Sequence, residues 1–135
     1  MIIDTGPLVA ALDADDRHHD ACVRLLATAR RPLRIPGPVL TEVCYLIERE
    51  QGPTAEAMFL TSLADEEFEL IHPTTVDLRR MAELVTTYHD LPLGAVDASV
   101  LALAERTGDY DIATLDRRHF TIVRPAGNRI LNLYP

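Results

Sequence analysis

Lysine is absent from this chain: all 13 basic residues are arginine, set against 21 acids, for a formal charge of -8 over 135 residues. That balance disfavours a protein that coats nucleic acid through a uniformly basic face, because such binding draws its affinity from neutralised phosphates. Nucleic acid stays possible where the acids gather around a divalent cation. Cysteine is scarce. Cys22 and Cys44 stand alone inside apolar helical patterns, without the Cys or His spacing of a metal site, and read as buried free thiols. Long hydrophobic runs are missing too. No stretch approaches the ~18 uncharged residues of a membrane span, and Met1–Asp4 lacks the basic flank and apolar core of a secretory signal. The expectation is a soluble, cytoplasmic protein. Repeats, low-complexity tracts and linkers are also absent, so residues 1–135 read as one domain, and 47% hydrophobic residues supply a packed core.

What is present alternates. Met1–Asp4 reads as a short strand and Thr5-Gly6-Pro7 as the start of a helix to about Asp13, with Thr5 able to cap and Pro7 suited to the first turn. Further helices are predicted over about 17–29, 38–50 and 54–64, with strands at 33–36 and 68–72. The helix at 75–89 carries Leu78, Met81, Ala82, Val85 and Tyr88 on one stripe, and another follows at 96–106. Strands are then predicted at 112–115, 121–123 and 130–133. Helices between short apolar strands predict an α/β fold in three layers, α/β/α, with a short central parallel sheet flanked by helices. In such sheets ligands sit beyond the carboxyl ends of the strands.

Four acids occupy informative positions. Asp4 ends the first predicted strand and Asp116 follows the strand at 112–115. Read singly, each is an ordinary cap or turn residue. Asp97 shares a helical stripe with Val100, Leu101 and Ala104, where an unpaired carboxylate is costly unless the helix dipole and water reach it. Glu42 lies between Val39 and Leu46 in the same manner, and alone reads as a solvated Glu. Together the four predict one cleft whose like charges need a cation. Oxygen ligands, with no Cys/His cluster, point to Mg²⁺ or Mn²⁺ and to phosphodiester hydrolysis by a metal-activated water. Arg117 and Arg118 adjoin Asp116 and read either as a rim for RNA phosphates or as a solvated turn.

These residues resemble the PIN-domain ribonucleases, and among them the VapC-type toxins of toxin–antitoxin pairs. The resemblance rests on Ile3-Asp4-Thr5-Gly6-Pro7-Leu8, on Leu40-Thr41-Glu42-Val43, on Asp97-Ala98-Ser99-Val100-Leu101-Ala102-Leu103-Ala104, and on Thr114-Leu115-Asp116 with Phe120, in order along nearly the whole chain. It implies Mg²⁺-dependent RNA cleavage, with Asp4, Glu42, Asp97 and Asp116 as metal ligands and catalytic carboxylates. It also implies a homodimer, and a cognate VapB-type antitoxin whose C-terminal segment reaches the acidic cleft. Thr5 and Thr114 become candidates for hydrogen bonds that orient the carboxylates. One position departs from the pattern: many relatives carry another acid two residues after the last, where this chain has Arg118. One firmly held ion is therefore expected, with any second supported mainly by substrate phosphate.

Two other readings compete. A haloacid-dehalogenase-like phosphatase also opens with an Asp at a strand end and uses Mg²⁺, but needs a second Asp two residues on, where Gly6 stands. A non-catalytic RNA-binding module would gain nothing from massed acids facing phosphate.

Overall fold

The structure, a computed structural model, describes residues 1–65 and 68–135. Its elements run β1 (Ile2–Ile3), α1 (Thr5–Leu12), α2 (His19–Thr28), β2 (Arg34–Pro36), α3 (Gly37–Gln51), α4 (Pro53–Ala64), β3 (Glu69–Ile71), α5 (Thr75–Thr87), α6 (Ala95–Thr107), β4 (Asp111–Ala113), α7 (Arg117–Ile122) and β5 (Asn132–Tyr134), with a 3-10 turn at Ala126–Asn128. The strands are short and apolar. They pair in parallel in the order β3-β2-β1-β4-β5. The chain steps outward from β1 through β2 to β3, then returns to the far side of β1 as β4. Onward connections from β1 and β4 thus leave in opposite directions, which opens a crevice at their carboxyl ends. The register pairs Ile2 with Ile112 and Ile3 with Ala113, so Asp4 and Thr114 emerge side by side.

The core is mainly aliphatic, with Phe59 and Phe120 buried in it. Ile2, Ile3, Ile35 and Ile112 from the sheet meet Leu8, Val39, Val43 and Ile47 from α1 and α3. Helix α6 is enclosed on every side: Ala98 through Ala104 are all buried, which explains its small residues, since small side chains let neighbouring elements close around it. It packs on α5, α3, β1 and β2 and thereby carries Asp97 to the sheet's rim. Cys22 is buried and Cys44 half-buried, both as free thiols, and burial pushes both thiol pKa values up. Among the described residues no helix is long and apolar enough to cross a membrane.

Three local expectations are corrected. The strand expected at 121–123 is instead the last two residues of α7 and its C-terminal cap, Val123. Its β-branched residues read as extended, but Asp116 caps the helix and the Thr121 hydroxyl donates to the Arg117 carbonyl at 2.6 Å, one turn back. Thr5 is not the cap of α1 but its first residue; the cap position belongs to Asp4, whose side chain makes no capping bond. On α5 the buried face is Asp77, Met81 and Leu84, whereas Leu78 and Val85 are exposed. The helix is rotated so that Asp77 can close a capping box with Thr74 and meet Arg106 of α6, Nε to Oδ2 3.0 Å. A purely apolar stripe could not foresee a buried carboxylate as part of the packed face.

Candidate active site

The crevice at the strand ends contains the acids. Asp4, Glu42, Asp97 and Asp116 line one cleft of about 550 Å³, together with Thr5 and Leu115. Each comes from a different segment: the end of β1, the second turn of α3, the first turn of α6, and the residue capping α7. Gly6 lets these segments close, because a Cβ there would stand 3.2 Å from Leu115 Cβ.

Asp4 is the most deeply buried of the four, 6% exposed. Its main-chain N–H extends the ladder to the Ala113 carbonyl at 2.9 Å, and its Oδ2 accepts from the Thr114 hydroxyl at 2.7 Å. Thr114 in turn accepts from the Asp116 N–H at 3.0 Å. One hydroxyl therefore links two of the acids, its single proton committed to Asp4. Burial pushes the Asp4 carboxyl up to about 6; the Thr114 and Thr5 donors oppose the rise, and repulsion from Asp97 and Glu42 adds to it. Glu42 Oε2 accepts from the Thr5 hydroxyl at 2.5 Å.

Asp97 Oδ2 reaches back to the Gly94 N–H at 3.3 Å, so the first-turn role that the helix dipole favours is real. Burial raises its pKa as well, against the pull of His119 and Gly94. Asp116 behaves as a cap: its Oδ1 accepts from the N–H groups of Arg118 and His119 at 3.0 and 3.3 Å. The capping reading and the cleft reading thus hold together, since the cap uses only one of the two carboxylate oxygens. His119 is the residue that motif reading missed. Its Nδ1 stands 3.1 Å from Asp97 Oδ2 and 3.2 Å from Asp116 Oδ2. A signal existed, because His119 follows Asp116 by three residues, one helical turn, but only the fold brings Asp97 to it. The rim arginines separate: Arg117 donates through its guanidinium to the Pro135 main-chain oxygen, while Arg118 is exposed beside Asp116.

Among the described residues no three carboxylate, imidazole or thiol groups converge closely enough to enclose an ion. The donor set still fits Mg²⁺ or Mn²⁺, which are commonly held by one or two carboxylates with water and substrate phosphate completing the shell. Glu42 and Asp97 each have one oxygen engaged and one, Oε1 and Oδ1, that accepts no hydrogen bond among the described residues. A buried carboxyl held near 6 beside two other acids is a site short of positive charge.

Comparison with known proteins agrees with this geometry. Residues 1–124 match the sequence model of the PIN domain. The chain belongs to the PIN-domain family. Within it this PIN domain is of the VapC type, the ribonuclease toxins of toxin–antitoxin pairs. Ribonuclease VapC26 of Mycobacterium tuberculosis is 35% identical over 135 residues, the whole of both chains. Among solved structures, VapC20 of the same organism, a sarcin-ricin loop cleaving toxin, superposes with a TM-score of 0.81 at 21% identity, over 87% of this chain and 90% of that one. A toxin–antitoxin complex from Klebsiella pneumoniae gives 0.67 at 20% identity over 90% and 91%. VapBC2 from Rickettsia felis, bound to a DNA fragment from its promoter, gives 0.65 at 20% over all of both chains. At these identities the structural likenesses establish the fold of this PIN domain. The phosphatase reading falls with the family assignment.

Proposed function

We propose that this PIN domain is a Mg²⁺-dependent endoribonuclease, with Mn²⁺ able to substitute, acting as the toxin of a toxin–antitoxin pair, and that Asp4, Glu42, Asp97 and Asp116 hold the ion. The observation that carries the reading is the meeting of four carboxylates from four separate segments in one cleft, at the crevice between β1 and β4. When bound, a divalent ion supplies Lewis acidity to a phosphate oxygen, a lowered pKa to water, and stabilisation to the departing oxygen. The chain's own residues supply placement. Thr114 holds Asp4 and Thr5 holds Glu42, so two carboxylates present fixed faces to the cleft. Arg118 beside the cleft is suited to a flanking phosphate; Arg117 joins it by exchanging its contact with Pro135.

In this reading residues 1–135 form one domain, which acts as a homodimer. Exposed Tyr45, Met58 and Leu60 on α3 and α4 favour the helices between Pro38 and Ala64 as the interface. A VapB-type antitoxin is the second partner. An apolar cleft of about 430 Å³ lined by Leu8, Leu12, Val23, Leu26 and Phe59 suits an amphipathic segment, and the acids suit a basic side chain.

The test is cleavage of a structured RNA with Mg²⁺ and with EDTA, followed by analysis of the ends. Products with 5′-phosphate and 3′-hydroxyl ends, lost in EDTA, are expected. Cyclic phosphate ends would mean that the ribose 2′-hydroxyl attacks, and would remove water-mediated hydrolysis from consideration.

A further inference from the structure

His119 joins two acids of the cleft that come from separate helix starts, Asp97 of α6 and Asp116 before α7. Its side chain is 16% exposed, and one ring atom, Nδ1, lies 3.1 Å from Asp97 Oδ2 and 3.2 Å from Asp116 Oδ2. Ionised carboxylates only accept hydrogen bonds, so these contacts require the proton on Nδ1. Two features make the arrangement more than proximity. Asp116 divides its oxygens, Oδ1 to the α7 amides and Oδ2 to the ring, so capping the helix and meeting the imidazole use different atoms of one carboxylate. Asp97 places the same oxygen, Oδ2, on both the Gly94 N–H and the ring, which turns the carboxylate so that Oδ1 is left without an internal donor among the described residues.

We propose that His119 is a positioning residue: through Nδ1–H it clamps Asp97 to Asp116 and presents the unengaged oxygen of Asp97 to the ion. The inference rests on the proposed metal site and names the part of it that the sequence motifs omit. Helix α7 spans only six residues, so its hold on the site comes from side chains; Phe120 is buried and anchors the turn from which His119 projects. An imidazole on two carboxylates also offsets part of their mutual repulsion before the ion arrives. This resembles the outer hydrogen bonds that set ligand orientation at metal centres, whose loss commonly weakens ion affinity by about 10- to 100-fold.

The test uses ion affinity as its readout, apart from catalysis. Asparagine places its amide N–H at the same number of bonds from the backbone as Nδ1, and glutamine places it where Nε2 lies. Mn²⁺ titration followed by the EPR signal of the free ion should show His119→Ala weakening binding on the order of tenfold or more, His119→Asn restoring most of it, and His119→Gln failing to do so. Cleavage by His119→Ala should recover at saturating Mn²⁺. Unchanged Mn²⁺ affinity in His119→Ala overturns the proposal, and so do equal affinities in the Asn and Gln variants or a cleavage defect that persists at saturating ion. The clamp has its own readout: imidazole ¹H–¹⁵N spectra of the intact chain at pH 8 should show a protonated Nδ1, and a ring protonated on Nε2 alone overturns it. Wild-type chain that binds no Mn²⁺ while keeping the Nδ1 proton would instead remove the metal-site reading, and with it the ion-presenting role.

Discussion

At the scale of single residues, the site is organised by hydroxyl and amide donors as much as by the acids. Thr114 is 1% exposed and satisfies two groups at once, the Asp4 carboxylate and the Asp116 N–H. Thr114→Val keeps the shape but leaves the Asp116 N–H without its acceptor and takes one donor from Asp4, so it is expected to lower stability by roughly 1–3 kcal/mol and to suppress cleavage, while Thr114→Ser retains most of both. Urea unfolding of the two variants checks this, and equal losses for Val and Ser would show that the methyl group, not the hydroxyl, matters. Asp97→Asn removes one charge from a crowded cleft and keeps an oxygen for the Gly94 N–H. It should abolish turnover yet match or exceed wild type in metal-free melting temperature, because repulsion with Asp4 and Asp116 is relieved. A clear drop in melting temperature would mean that the carboxylate is structural, as an ordinary cap would be.

At the scale of elements, α5 shows how a buried carboxylate paired with an exposed arginine can set the rotation of a helix. Asp77 accepts from the Thr74 N–H at 2.7 Å and from the Thr74 hydroxyl at 2.8 Å, and meets Arg106 of α6. Asp77→Ala removes the box and leaves Arg106 unpaired, for an expected loss of about 2–3 kcal/mol. Leu78→Ser, on the exposed face of the same helix, should change stability by less than about 0.5 kcal/mol. Chemical denaturation of both settles which face is packed, and a larger loss for Leu78→Ser would restore the apolar stripe read from the sequence. Helix α7 teaches the complementary lesson. Thr121, Ile122 and Val123 have strand-like side chains, but the capping carboxylate of Asp116 and the buried Phe120 hold the segment as a helical turn.

At the scale of the whole molecule, the cleft links stability to pH and to metal. The Asp4 carboxyl rises from 3.8 to about 6 on folding, so the folded chain binds this proton more tightly than the unfolded chain. Its contribution to stability is full below about pH 3.8 and is lost as pH rises through about 6, and the raised Asp97 carboxyl acts in the same direction. Metal-free protein should therefore lose roughly 1–2 kcal/mol from this site between pH 5 and pH 7.5, a slope that Asp4→Asn flattens. Mg²⁺ should reverse the loss at pH 7.5 by about 1–3 kcal/mol at ten to a hundred times its dissociation constant. Thermal melts across pH, with EDTA and with Mg²⁺, check both signs; a stability that rises with pH in EDTA would contradict the crowded-acid account. Light scattering tests the dimer, for which a mass near 30 kDa is expected from two 15.0 kDa chains.

Periodicity and punctuation determined the alternation of helices and strands, because apolar spacing and Gly or Pro breaks are local properties of the chain. They also placed Asp4 and Asp116 after strands and Asp97 on a buried stripe, so the acids could be named from residue order, and the family with them. What residue order could not contain was the company each acid keeps. The hydrogen bond from Thr114 to Asp4 spans 110 positions and that from Thr5 to Glu42 spans 37, distances that only sheet pairing and helix packing close. The same holds for His119, whose contact with Asp97 depends on α6 and α7 meeting at one end of the sheet. Burial, and hence the raised carboxyl of Asp4, is likewise a property of the assembled layers, since desolvation depends on every element that excludes water from the group.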